Sequence, residues 1–226
     1  MSQTKAELLN PLNGVVSSGD IKVNDVSVGK GANSVTSNTV LGENALDASV
    51  SGGFNTAIGE QSMTANTSGT ENTAVGSLAG DALTTGISNV AVGYRALSSE
   101  DAHGQNVAIG AFALANQDAG DAFNVAVGHN CGINVTTGTV NTLVGAFAGD
   151  ALTTGNSNVA IGYFALSTED AHGLNVAVGS RALGNQNAGA NAYNVAVGAD
   201  AGLSVTTGIR NTLLGGLAGD ALTDAD

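Results

Sequence analysis

Bulky side chains are scarce in this chain. It has no tryptophan, and phenylalanine and tyrosine together supply only eight of its 226 residues. Its apolar content of 42% therefore consists mostly of small aliphatic residues. Because a thick globular core needs larger side chains to fill it, the composition argues against a compact enzyme domain. It favours a thin, layered fold.

Other shortages exclude further classes of protein. The single cysteine, Cys131, excludes an intrachain disulfide framework. Six basic residues against nineteen acidic ones give a net charge of −13, which repels nucleic acid and anionic membranes. No apolar run approaches the ~20 residues of a membrane-spanning helix, and residues 1–13 lack the apolar segment of a secretory signal. We therefore expect no nucleic-acid partner, no membrane insertion and no signal-directed export.

What the chain has in abundance is a short repeat. Asparagine, three small or aliphatic residues and then glycine recur eleven times, and nine of the ten intervals are 17 or 18 residues. So short a period predicts a solenoid, in which each repeat is one coil stacked on the next. At ~4.8 Å per coil, eleven coils make a rod of about 50 Å. The repeat asparagines are Asn38, Asn55, Asn72, Asn89, Asn106, Asn124, Asn141, Asn158, Asn175, Asn194 and Asn211.

We number positions in each coil from its asparagine, which is position zero. The first position is Thr or Val, the second is mostly Ala, and the third is Leu, Ile or Val, which predicts a short strand. The third position is the best candidate for the core, and the alanine face must lie where space is tight. Glycine at the fourth position predicts a turn with positive φ. A second glycine column, from Gly52 to Gly208, predicts a second turn and a second extended segment in each coil.

The asparagines and glycines are interpreted as structural residues. Asparagine side chains at one position of successive coils are expected to form a ladder, each bonding the neighbouring turn. Cys131 lies at the seventh position, which is otherwise alanine or serine, so we expect a buried small residue and no reactive thiol. The structural turn residues named on this basis are Asn72, Gly76, Asn89, Gly93, Asn141, Gly145, Asn158 and Gly162.

Two organisational features overlie the short repeat. Residues 77–110 match residues 146–179 at 26 of 34 positions, which indicates a duplication with an offset of 69 residues. Residues 1–37 lack the repeat, hold all three lysines and predict a short helix at 4–10 followed by strands. We therefore divide the chain into an attachment segment, 1–37, and a repeat domain, 38–226, in which sixteen acids face only three arginines.

The coil Asn89-Val90-Ala91-Val92-Gly93-Tyr94-Arg95-Ala96-Leu97 resembles the head repeats of trimeric autotransporter adhesins. The resemblance covers residues 38–218 and implies a left-handed parallel β-roll assembled as a homotrimer. No heptad stalk or membrane barrel accompanies these repeats, unlike in that family. The chain is also similar to bacteriophage tail-fibre and appendage proteins, which carry such coils after a stretch similar to residues 19–29.

The phage resemblance is the preferred one, because fibres made in the host cytoplasm need no secretory signal. It implies a non-catalytic virion fibre that contributes to host-cell attachment. The expected partners are two further copies of the chain, other virion proteins bound through residues 1–37, and a glycan or protein of the host surface. The alternatives are a purely structural spacer or capsid decoration, and a bacterial surface adhesin head.

The strongest enzyme-like motif is Glu-Asp-Ala-His, which occurs at residues 100–103 and again at 169–172. Carboxylates beside a histidine suit acid–base or metal chemistry. The duplication copied the motif, however, and both copies fall in the second turn of a coil, so a solvated loop is the expected structure. The acidic turns at Asp81, Asp150 and Asp220 have one acid each, whereas calcium loops supply several oxygen ligands. We expect no catalytic residue, no metal and no cofactor.

A candidate recognition surface lies at the fifth and sixth positions, the second of which varies most along the chain. Its members are Tyr94, Arg95, Tyr163, Phe164 and Arg181. A mixture of polar and aromatic side chains suits contacts with glycans. Alternatively, the large residues fill an interface between chains, and the sequence alone leaves both interpretations open.

Overall fold

The computed structural model describes residues 20–48 and 50–224 of the chain. These residues form thirteen short strands and one turn of 3-10 helix, Ala32–Ser34. The helix predicted at residues 4–10 lies outside the described residues. The strands are β1 (Ile21–Val23), β2 (Val26–Gly29), β3 (Thr39–Gly42), β4 (Thr56–Ile58), β5 (Thr73–Val75), β6 (Val90–Val92), β7 (Val107–Ile109), β8 (Val125–Val127), β9 (Thr142–Val144), β10 (Val159–Ile161), β11 (Val176–Val178), β12 (Val195–Val197) and β13 (Thr212–Leu214).

All thirteen strands lie in one sheet, in chain order. Strands β3 to β13 are parallel and in register, so each residue pairs with the same position of the next coil, as Ala74 does with Ala91. Strands β1 and β2 form an antiparallel hairpin, and β2 pairs with β3 so that Val28 lies opposite Leu41. The predicted all-β parallel solenoid with about 17 residues per coil is confirmed, as are the strands expected before residue 31.

The prediction that the third position forms the core is wrong. The second position points inward, and Ala74, Ala91 and Ala108 are fully buried, whereas Leu41 at the third position is 44% exposed. In a three-residue strand the middle side chain points away from the first and third. Large side chains from the opposite wall of the coil, such as Leu97 and Leu114, fill the interior. They leave room for little more than a methyl group on the strand.

The second predicted extended segment is also wrong, because the opposite wall of each coil consists of turns. The sixth and eighth positions have φ between 48° and 63°, as at Arg95 and Leu97, which is incompatible with a strand. Hydrogen bonds still join successive coils along this wall. The amide of Leu97 donates to the carbonyl of Ala113 at 3.0 Å, for example, and that of Met63 donates to Ala79 at 3.0 Å.

The large apolar side chain that fills the coil comes from either the eighth or the eleventh position. Where the eighth residue is Gly, the eleventh is Leu or Val, and the side chain of Leu152 lies 2.8 Å from where a Cβ on Gly149 would be. Where the eighth residue is Leu or Met, as at Leu97 and Leu166, a polar residue takes the eleventh position. The polar residues Asn66, Glu100, Gln117, Glu169 and Gln186 are thereby brought into the rod and are fully buried.

The repeat asparagines form a continuous ladder inside the rod. The backbone amide of each asparagine after the first donates to Oδ1 of the asparagine one coil earlier, at 2.8–3.2 Å. Most of the side-chain Nδ2 groups donate to a carbonyl of the second turn, as from Asn72 to Gly86 at 2.7 Å and from Asn141 to Gly155 at 2.9 Å. The ladder therefore joins neighbouring coils and also the two sides of one coil.

Glycine at the fourth position is required by backbone conformation and by space. Gly76 has φ 138°, and a Cβ there would lie 2.5 Å from the carbonyl oxygen of Gly93 in the next coil. The same conformation recurs at Gly93, Gly145 and Gly162, with φ of 132–138°. In the second glycine column only Gly189 has positive φ, and crowding by neighbouring backbone accounts for glycine at several positions. Gly120 has open space around it.

We expect Gly76→Ala to destabilise the fold and Gly120→Ala to leave it unchanged or slightly more stable. Alanine at position 76 incurs strain of about 1–3 kcal/mol in addition to the backbone clash. Alanine at position 120 only reduces the freedom of the unfolded chain, by about 0.4–1 kcal/mol. Urea unfolding of the two variants measures the difference. Equal midpoints would show that the fourth position tolerates a side chain.

Cys131 is fully buried in the small-residue position where the sequence placed it. Burial raises the pKa of its thiol to about 12, which suppresses the reactive thiolate. We expect no reaction with a disulfide reagent in the folded chain at pH 8 and full reaction after unfolding. Cys131→Ala, the residue that nine other coils have at this position, is expected to keep the melting temperature. Rapid labelling of the folded chain would contradict this account.

Candidate functional surfaces

The outward face of the parallel sheet is an uncharged surface that runs along the whole repeat. The first and third positions of all eleven coils supply twenty-two side chains, every one of them Thr, Val, Ile or Leu. Ile109, Ile161 and Val197 are each 38% exposed. In a chain of net charge −13, a charge-free strip along the whole repeat is a distinct chemical surface. Its continuity follows from the register, which places each position directly over its copy in the next coil.

Beside this face, the turn at the fourth position carries the first aromatic group. Tyr94 is 46% exposed and meets Phe112 of the next coil edge to face, with ring centroids 5.2 Å apart. The guanidinium carbon of Arg95 lies 5.8 Å from the centre of the Tyr94 ring. Two of the predicted recognition residues, Tyr94 and Arg95, are thus together at the surface. Phe112 joins them.

A second aromatic group lies four coils further along the same edge. Phe164 stacks on Phe147 at 4.7 Å with an interplanar angle of 4°, and Tyr163 meets Phe164 edge to face at 4.5 Å. His129 contacts Phe147 from the preceding coil at 5.4 Å. Tyr163 is 54% exposed, whereas Phe164 is half-buried by its neighbours. The group therefore presents a tyrosine ring supported by two packed phenylalanines.

Arg181, the fifth predicted recognition residue, belongs to neither aromatic group. Its Nε lies 2.7 Å from Oδ1 of Asp200, and its Nη2 donates to Oδ2 at 2.8 Å. This two-point ion pair joins consecutive coils at an exposed site and occupies the Nε–Nη2 edge of the guanidinium. Arg181 is better described as a surface contact between coils than as a free recognition residue.

Sequence reasoning missed a second exposed column, in the residue before each repeat asparagine. All of the residues in this column from Phe54 onwards have positive φ, including the β-branched Val140 at 60°. Large apolar and polar residues follow one another in this column without a regular order, so no periodic signal marks it in the sequence. Its exposed apolar members are Phe54 at 71%, Phe123 at 52%, Val140 at 54%, Leu174 at 37% and Tyr193 at 53%.

The Glu-Asp-Ala-His motifs are solvated only in part, because Asp101 and Asp170 are exposed, as the sequence predicts, but the glutamates are not. Glu100 and Glu169 are fully buried, since they occupy the inward eleventh position of their coils. Oε1 of Glu100 accepts the backbone N–H of His103 at 3.0 Å, and Oε1 of Glu169 accepts that of His172 at 3.2 Å. The alternation between the eighth and eleventh positions is the sequence signal that could have placed these side chains inside.

Burial governs the protonation of both glutamates. Removal from water raises the pKa of Glu100 to about 7, opposed by the backbone hydrogen bond and the nearby charge of His103. The pKa of Glu169 is raised for the same reason and opposed by His172 in the same way. Each glutamate carboxyl is thus removed from water, although the next residue along the chain is an exposed aspartate.

In residues 20–48 and 50–224, no helix has the length and apolar character needed to span a membrane. No protein-family model matches the chain, and neither a curated protein nor a solved structure matches it.

Proposed function

We propose that this chain is a non-catalytic fibre protein of a virion, a homotrimeric rod that contributes to attachment to the host cell. The observation that carries the proposal is the charge-free outward face, which extends over eleven coils of an otherwise acidic chain. The similarity of the coils to phage appendage and adhesin-head repeats supports the same function. The virion, after synthesis in the host cytoplasm, is the proposed location.

The outward face favours assembly of the rods side by side. Half-exposed Val, Ile and Leu side chains in register form a flat strip, and burial of such a strip stabilises association by about 25 cal/mol per Å² of apolar surface. The same side of each strand is available in every copy of the chain, so a symmetric arrangement satisfies all copies equally. The resemblance implies an assembly of three chains.

The two aromatic groups are the proposed contacts with the host surface. Exposed tyrosine rings supported by phenylalanine, as at Tyr163 with Phe164, provide flat apolar faces of the kind that stack on sugar rings. Arg95 adds a hydrogen-bond donor beside Tyr94. A trimer would hold three copies of each group on a rigid rod, so that weak individual contacts add up to strong attachment. Glycan is therefore the preferred ligand class, and a surface protein is the alternative.

Residues 1–37 are the proposed attachment point for other virion proteins. Their described part, the hairpin of β1 and β2, pairs with the first coil and ends the parallel stack. Lys22 and Lys30 give this segment the only lysines among the described residues. A chain without residues 1–37 should still form rods through its coils but should no longer join the particle. Incorporation of the truncated chain into virions would overturn this assignment.

Binding of the fluorescent full-length chain to a panel of bacterial cells and to a glycan array tests the attachment function. We expect saturable binding that Tyr94→Ala together with Tyr163→Ala abolishes. Tyr193→Ala, an equally exposed tyrosine in the other column, serves as the matched control and should bind normally. Absence of binding to every cell and glycan would favour the alternative of a spacer or capsid decoration that touches no host.

A further inference from the structure

Two clusters of metal-ligand side chains lie at the second turn of the rod. The first cluster is Glu100, Asp101, His103 and Asp118, and the second is Glu169, Asp170 and His172. In each cluster one ligand atom from every residue lies within 4.8 Å of all the others. The imidazole Nδ1 is 3.6 Å from Glu100 Oε1 in the first cluster and 3.5 Å from Glu169 Oε1 in the second.

Buried atoms without hydrogen-bond partners provide a second observation. In the second cluster, Oε2 of the fully buried Glu169 and the solvent-shielded Nδ1 of His172 have no hydrogen-bond partner. In the first cluster, Oε2 of Glu100 accepts one long hydrogen bond, from Nδ2 of Asn106 at 3.5 Å. A buried polar atom that lacks a partner requires an explanation, and a missing ion is one of the recognised ones. The spacing of about 3.5 Å suits this explanation, because two ligands ~2.1 Å from one tetrahedral ion lie about 3.4 Å apart.

We propose that each cluster binds one divalent transition-metal ion, of the Zn²⁺, Co²⁺ or Mn²⁺ type, through histidine Nδ1, the buried glutamate and the adjacent aspartate. An imidazole together with carboxylates suits these ions, whereas calcium and magnesium prefer ligand sets made only of oxygen. The ion also supplies a counter-charge for a glutamate that the rod buries, where an uncompensated carboxylate is costly.

The two sites differ in one ligand. Asp118 belongs to the coil after the first motif, so it joins two neighbouring coils through the ion. The residue 69 positions later is Asn187, and it occupies the same place in its coil. The amide of Asp118 donates to Thr136 at 2.9 Å, and that of Asn187 donates to Thr206 at 2.8 Å. The first site thus has an additional carboxylate and should bind the ion more tightly than the second.

A bound ion would join neighbouring coils on the side of the rod that consists of turns and has no strands. An ion that binds the folded chain but not the unfolded chain raises the free energy of unfolding in proportion to the logarithm of the ion concentration. Along this wall the coils are otherwise joined by backbone hydrogen bonds, such as the one from the amide of Leu114 to the carbonyl of Cys131 at 3.1 Å. An ion at Asp118 would join the coils that begin at Asn89 and Asn106 at this wall.

The test is calorimetric titration of Co²⁺ and Zn²⁺ into the untagged full-length chain after removal of metals with EDTA. We expect two ions per chain in two steps of unequal affinity, and the visible spectrum of bound Co²⁺ should report a nitrogen ligand. His103→Ala should remove the tighter step and His172→Ala the weaker one. Both histidines are partly exposed, at 45% and 29%, so these variants should fold.

The aspartate and asparagine at equivalent places provide a reciprocal control. Asp118→Asn should weaken the first site by about tenfold or more, and Asn187→Asp should strengthen the second by a similar factor. Circular dichroism without metal should be the same for all four variants. Absence of binding below millimolar ion, or binding that neither histidine substitution alters, would overturn the proposal and leave each cluster as a Glu–His contact within one turn.

Discussion

Ala108→Leu is expected to lower the melting temperature of the rod by more than any surface substitution of similar size. Ala108 is fully buried at the second position of its strand, and the eighth residues of its own and the preceding coil are Leu114 and Leu97. Overpacking in a tight interior costs ~1–3 kcal/mol per site. In the proposed trimer the substitution occurs three times.

The chain itself contains the comparison that supports this expectation. Leu143 occupies the same strand position and is fully buried, but the eighth residues of its own and the preceding coil are Gly149 and Gly132. The δ-carbons of Leu143 lie 2.7 and 2.9 Å from where side chains on these glycines would begin. Leucine is thus accepted where two glycines leave space. At Ala108 no such space exists.

Asp118→Asn, measured in EDTA, is the control for Ala108→Leu. Its side chain is exposed on the turn, and the backbone hydrogen bond to Thr136 remains. We expect its melting temperature in EDTA to equal that of the unmodified chain. If both variants melted at the same temperature, the assignment of inward and outward faces would be wrong.

Ile109→Asp is expected to dissociate the proposed trimer into single chains without unfolding the coils. Ile109 adjoins Ala108 but points outward, and its side chain is 38% exposed in the single chain. At the proposed interface, three carboxylates would be buried together without counter-charges, at a cost of roughly 3 kcal/mol or more each. Light scattering should report the mass of one chain, and circular dichroism should remain unchanged.

Val140→Asp is the matched control for the outward face. Val140 is 54% exposed and lies in the column before the repeat asparagines, outside the strand positions that form the outward face. Its φ of 60° suits aspartate better than valine, so the substitution should not harm the coil. Its assembly should be unaffected. If Ile109→Asp assembled as well as Val140→Asp, the outward face would not be the interface.

The repeat made the solenoid predictable, because asparagine and glycine at fixed positions each have one structural role per coil. Asn72 bonds the coils before and after it, through Asn55 and Asn89, and Gly76 adopts a φ that other residues avoid. The direction of the strand side chains was not predictable from alternation alone. The alternation of Ala91 and Val92 is compatible with either residue facing inward. Only the leucines of the opposite wall decide which of the two does.

The candidate sites were predictable only in part, for a related reason. The columns at the fifth and sixth positions are periodic, so Tyr94 and Tyr163 could be assigned to one edge before the structure was known. The burial of Glu100 depends on a different coupling. Leu97 at the eighth position fills the space that a large apolar residue would otherwise occupy at the eleventh position, where Glu100 lies. Contacts between rings of different coils, such as Phe147 with Phe164, require the stacking register itself.

Sedimentation equilibrium of the full-length chain in dilute buffer tests the central claim most directly, since the outward face and the proposed multivalent attachment both depend on assembly. The account predicts a single species with three times the chain mass of 22.0 kDa, stable over a wide range of concentration. A single species of 22.0 kDa across the same range would contradict it.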